Sequence, residues 1–124
     1  MAVNLNNFTL NTNFPAIAKT NSASRQCTLA AQTIGSGQTV SASVNISVGS
    51  AEICETLLFL NGEYIPYTRH YMDTSGGSTI YEYITERISA TQIQFTIVAT
   101  NYSGVSVSIP AKTASVLVSA FSVP

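Results

Sequence analysis

Residues 40–48 alternate without a break: Val40, Ala42, Val44, Ile46 and Val48 are separated each time by Ser or Asn. Along an extended chain successive side chains point to opposite sides, whereas the same five residues would scatter around a helix. The run therefore specifies a strand with one face on a core and one in water, the arrangement of an antiparallel sheet. The pattern recurs in residues 26–32, with Cys27, Leu29 and Ala31 inward, and in Ile93, Phe95, Ile97 and Ala99. Val105, Val107 and Ile109 form a further set, and Val116, Val118, Ala120 and Val123 a last one with a slip near its end. Helical periodicity is nearly absent.

The punctuation between these runs is that of an all-β chain. In Leu57-Leu58-Phe59-Leu60-Asn61-Gly62-Glu63-Tyr64-Ile65, Asn-Gly suits the positive φ angles of a two-residue type I′ turn, which predicts a hairpin. The returning strand, residues 64–71, contains Pro66 and is expected at a sheet edge or with a bulge, because proline has no ladder N–H. Asp73-Thr74-Ser75-Gly76-Gly77-Ser78 reads as a loop before a strand over residues 79–86. Other turns fall at Gly35-Ser36-Gly37, near Gly49, at Asn101-Tyr102-Ser103-Gly104 and at Pro110. Short strands at this spacing predict one antiparallel β-sandwich, of jelly-roll or immunoglobulin-like Greek-key type, with eight or nine strands. The single domain spans residues 1–124, with residues 1–21 as an N-terminal strand or arm and connector.

Composition narrows the function. Of the 124 residues 45% are apolar, enough for a core, but only 9% are charged, so hydroxyls and amides must cover the surface. Net charge is −1 and no Lys/Arg cluster exists, which argues against binding a nucleic-acid backbone or an anionic membrane surface. With so little charge to keep copies apart, burial of surface against partners is the expected solution. The N-terminal Met1-Ala2-Val3-Asn4-Leu5 has neither basic residues nor a long apolar run, so it reads as no secretory signal, and the expectation is synthesis in a cytoplasm or delivery without a leader. Cys27 and Cys54 are then expected as buried free thiols, with a disulfide between them as the alternative.

Catalytic and metal chemistry find no foothold. His70 is the sole histidine and Asp73 the sole aspartate, and no Gly-x-Ser-x-Gly elbow accompanies them. Cysteine and histidine spacings do not suit a metal, and Asp73 alone cannot build a calcium loop. Glu82 and Glu86 resemble a carboxylate pair, but they share a strand face with Ile80 and Ile84 and are read as edge-guarding charges. Asn7, Asn45 and Asn101 each open a glycosylation sequon, a number that chance accounts for. The chain is expected to be no enzyme and to need no cofactor.

One cluster stands out. Tyr64, Tyr67, Arg69, His70, Tyr71, Tyr81, Tyr83 and Arg87 gather within 24 residues residue types that dominate interface hot spots. Three readings stay open: a protein interface, a glycan site built on tyrosine stacking, or ordinary cross-strand aromatic pairs.

Low charge, alternating Ser/Thr-rich strands, Gly37-Gln38-Thr39-Val40-Ser41-Ala42-Ser43-Val44-Asn45-Ile46, the Leu57-Phe59-Asn61-Gly62 hairpin, and Asn101-Tyr102-Ser103-Gly104 leading into residues 105–110 together carry a resemblance. The chain resembles the small β-sandwich virion proteins of tailed bacteriophages, both capsid decoration (cement) proteins and tail-attached accessory proteins. The resemblance implies a virion protein without an active site that binds capsid or tail subunits and itself, commonly as a homo-oligomer such as a trimer. It transfers no site residue. A lectin-like module recognising glycans is the competing expectation.

Overall fold

The computed structural model describes residues 18–49, 53–60, 62–65, 70–75 and 78–122. Every regular element is a strand: β1 (Ala18–Leu29), β2 (Gln32–Ile34), β3 (Thr39–Ser47), β4 (Ile53–Leu60), β5 (Glu63–Ile65), β6 (His70–Ser75), β7 (Thr79–Arg87), β8 (Gln92–Asn101), β9 (Val107–Ile109) and β10 (Lys112–Ser122). They form a four-stranded sheet β1-β10-β4-β5, a second four-stranded sheet β3-β8-β7-β6, and a two-stranded β2-β9 piece, with every pairing antiparallel. The expected all-β sandwich is present, with ten strands among the described residues.

The three sheets share one backbone device. β1, β2 and β3 pair in turn with β10, β9 and β8, nearly in step from Ala18↔Ser122 through Leu29↔Lys112, Gln32↔Ile109 and Thr39↔Thr100 to Ser47↔Gln92. This is one long antiparallel ribbon bent twice, so that its ends lie in opposite layers while β2-β9 crosses between them. The first bend falls at residues 30–31, opposite Pro110, whose missing N–H suits a break in the ladder. At the second, residues 101–106 face residues 35–38, two more on one side than on the other. Inside the wound ribbon the chain forms the local hairpins β4-β5, on the first sheet, and β6-β7, on the second. Winding a paired ribbon is a jelly-roll device; the local hairpins replace the rest of that topology.

The alternating sets build the core. Ile93, Phe95, Ile97 and Ala99 are buried opposite Ala114, Val116, Val118 and Ala120, with Cys27, Leu29, Ile46, Val48, Leu58, Tyr81 and Tyr83. Along β3 the side chains are alternately exposed and covered, as the sequence dictates. Two inward assignments fail. Ala31 is exposed because the ribbon bends there, and Val105 is 67% exposed because it belongs to the turn before β9. Val123 lies outside the described residues.

Other boundaries also shift. Residues 18–21, expected as a connector, belong to β1, with a bulge between Lys19 and Asn21. The expected strand over residues 64–71 is divided: β5 ends at Ile65 in the first sheet and β6 begins at His70 in the second. β5 is indeed an edge, as the neighbouring Pro66 requires, and Leu60↔Glu63 leaves a two-residue loop in which Gly62 has φ 79°. Asp73, Thr74 and Ser75 extend β6 instead of forming a loop, because Thr74 and Ser75 pair with Ile80 and Thr79. β7 is an inner strand, so Glu82 and Glu86 do not guard an edge.

The thiols are settled by register. Cys27 is opposite Ala114 and Cys54 opposite Ala120, so β10 separates them and six residues of offset place them ~20 Å apart along the strand. A disulfide needs Cα atoms within about 7 Å, and Cys27 is a buried free thiol.

Candidate functional site

β6 and β7 carry most of the tyrosine and arginine cluster, and they pair as Tyr71↔Tyr83 and Asp73↔Tyr81. Alternation then sorts the cluster between two faces. Tyr81 and Tyr83 point inward and are buried, with Tyr71 half-buried beside them, its ring 6.0 Å from that of Tyr83. His70 points outward, where its Nε2 lies 3.5 Å from Glu82 Oε2. Being three positions apart on a strand, His70 and Asp73 face opposite ways and cannot share a proton relay.

Asp73 instead faces Lys112 at the start of β10, Oδ2 to Nζ 3.9 Å, and the ammonium sits 4.7 Å from the centre of the Tyr81 ring. One lysine thereby links the two layers at this end of the sandwich, through an ion pair and a cation–π contact. Burial, reinforced by the Asp73 charge, raises the Tyr81 pKa above its ordinary value. Burial first, then the charges of Asp73, Tyr81 and Tyr71, pushes Tyr83 far above the usual tyrosine range. Among the described residues the buried Tyr83 Oη has no hydrogen-bond partner, which costs the fold the desolvation of a hydroxyl.

The other cluster members are set apart. Tyr64 is on β5 of the first sheet, 50% exposed and 5.7 Å from the Phe59 ring. The exposed Arg87 donates from Nε to Ser89 O and from Nη2 to Ala90 O, tying down the β7–β8 turn. Tyr67 and Arg69 lie outside the described residues. The expected single patch is thus dispersed: three tyrosines face the interior, and Tyr64, His70 and Arg87 stand at separate surface positions.

Sequence reasoning missed two outward apolar stripes. On the first sheet, Leu57 and Leu117 face each other across β4 and β10, and Phe59 pairs with Tyr64 across β4 and β5. On the second, Met72, Ile80, Ile84 and Val98 surround Glu82 on the outer face of β6, β7 and β8. Met72 is 54% exposed, and Ile80, Ile84 and Val98 are half-buried. The signal was available in β7, where isoleucines occupy one parity and tyrosines the other; both are apolar enough to claim the core.

A cleft of about 280 Å³ opens beside Tyr81 and is lined by Ser78, Thr79, Val107, Ser108, Ile109 and Pro110. Hydroxyls alternate there with apolar walls. Among the described residues no three His, Cys, Asp or Glu side chains gather where they could hold a metal ion.

Asn101, which opens one of the sequons, is fully buried at the second ribbon bend. Its Nδ2 donates to Ile34 O, Gly35 O and Val105 O, and its Oδ1 accepts from the Ser103 N–H and hydroxyl. That amide is a structural joint and is closed to glycosylation in the folded state. Asn45, by contrast, is exposed on β3.

Fold and surface define a class: an antiparallel β-sandwich with hydroxyl-rich outer faces, each interrupted by an apolar stripe. Comparison with protein-family models, curated proteins and solved structures finds no match.

Proposed function

We propose that this chain is a non-catalytic structural protein that packs the outer faces of its sandwich against other protein subunits. Its resemblance to small virion proteins of tailed bacteriophages points to a capsid or tail as the surface it stabilises or decorates. One observation carries the reading: both sheets leave apolar side chains in water on their outer faces, Leu57, Phe59, Tyr64 and Leu117 on one and Met72, Ile80, Ile84 and Val98 on the other. Contiguous apolar surface rimmed by polar groups marks association sites. A net charge of −1 offers little repulsion between copies or against a partner. Assembly takes place in the host cytoplasm and the product resides in the virion. In purified particles the chain is expected at a fixed stoichiometric copy number, and its absence from them rejects the proposal.

The cleft beside Tyr81 favours a second reading, recognition of a glycan. Ser78, Thr79 and Ser108 supply hydroxyls, and Val107 and Pro110 supply apolar walls, a mixture suited to sugar rings. A glycan array separates the two readings, since a decoration protein gives no saccharide-specific signal.

A further inference from the structure

We infer that the edge of β6, which among the described residues pairs only with β7, is a homodimerisation strand, which pairs with β6 of a second copy and joins the two second sheets into one. Sheet edges present unpaired N–H and C=O groups, and proteins guard them with short strands, prolines, lysines, bulges, uncompensated inward charges or cover. The other edges are guarded in these ways. β1 carries a bulge and lies beside β3, the other outer strand of the second sheet, so that each covers the other, and the Arg25 guanidinium reaches across to Asn45 O (2.9 Å). β5, β2 and β9 are three residues long, and Pro66 follows β5. β6 has six residues, His-Tyr-Met-Asp-Thr-Ser, with no proline, lysine or bulge. Its carboxylate, Asp73, points inward but is matched by Lys112, so a docking strand would not bury an uncompensated charge. The most exposed large apolar side chain on any described strand is Met72, in the middle of this edge.

The strand's own sequence selects the occupant. Opposed residues in an antiparallel pair share a face, so a two-fold axis between identical strands must pass through a residue position. An axis at Met72 sets Met72 against its copy, Tyr71 against the partner copy's position 73, and His70 against position 74. Apolar meets apolar, each carboxylate meets a tyrosine, and the outer apolar stripe continues from one copy to the next. An axis at Asp73 would oppose two carboxylates, which destabilises a pair, and an axis at Tyr71 would use only half of the strand.

The inference extends the assembly reading, but solution mass tests it whether or not the chain is found in particles. Sedimentation of the purified protein should give twice the 13.1 kDa chain mass. Met72→Lys places two lysines on the axis and should give a monomer with an unchanged far-UV spectrum. Met72→Cys should cross-link to its copy under mild oxidation, because directly opposed Cα atoms lie about 4.5–5.5 Å apart. Thr74→Cys should not, as its copy is ~13 Å away along the strands. A wild-type monomer at high concentration, a Met72→Lys dimer, or equal cross-linking by the two cysteine variants would overturn the inference.

Discussion

Asn101 and Tyr83 are both buried polar side chains, and they are opposites. Every hydrogen-bonding atom of the Asn101 amide is used at the ribbon bend. Asn101→Ala would take the amide donor from Ile34 O and the acceptor from the Ser103 N–H, while Gly35 O keeps the Gln38 N–H and Val105 O the Ser103 hydroxyl, and is expected to cost about 2–4 kcal/mol, read as a lower urea midpoint. The Tyr83 hydroxyl has nothing to lose, so Tyr83→Phe should leave stability unchanged or raise it by roughly 1–2 kcal/mol. Tyr81, Tyr83 and the Cys27 thiol all have raised pKa values; for Cys27 burial dominates and a hydrogen bond from the Ile97 backbone opposes it. The folded state therefore keeps protons that the unfolded chain releases above about pH 8.5 for the thiol and about pH 10 for the tyrosines. Their contribution to stability is full below that range and is lost as pH rises through the folded values, at about 1.4 kcal/mol per pH unit for each proton. Urea midpoints should drop between neutral and strongly alkaline pH, and Tyr83→Phe should shrink the drop. An unchanged drop would show that Tyr83 is not responsible.

Among the elements, the bent ribbon depends most on its turns. Gly37 has φ 72° at the second bend, where its N–H donates to Asn101 O, 2.9 Å. A Cβ added there meets nothing within 4 Å, so Gly37→Ala would cost backbone strain alone, about 1–2 kcal/mol by chemical denaturation. Gly35-Ser36-Gly37, Pro110 and Asn61-Gly62 were legible in sequence because turn chemistry is local. The division of residues 64–71 between two sheets was not. No local rule says that a chain leaving β5 should cross layers; that depends on which neighbour offers a free ladder. Among the described residues ten strands replace eight or nine, because that stretch yields both β5 and β6 and because β2 is too short to show a period.

For the whole molecule, pairing residues 18–47 with residues 92–122 makes the decisive contacts distant in sequence. Such topologies fold slowly, so refolding on the millisecond-to-second scale is expected in stopped flow, slower than a helical chain of this length. The outer stripes make a second prediction. Leu57→Ser with Tyr64→Ser changes two exposed positions, 38% and 50% accessible, and should leave the urea midpoint nearly intact while lowering incorporation into particles. Normal incorporation would remove the first-sheet stripe from the assembly surface.

By itself, the sequence determined that this chain forms sheets, where most turns fall, and which residues of β3, β8 and β10 face inward. Period-two patterning acts through each strand alone, and a strand with a single apolar parity can be buried only one way. Tertiary structure decided β7, where Tyr81 and Tyr83 compete with Ile80 and Ile84. The tyrosines went inside, where Lys112 from β10, a strand distant in sequence, meets the Tyr81 ring and both rings join the core shared by the two sheets. The isoleucines were left half-covered on the outer face.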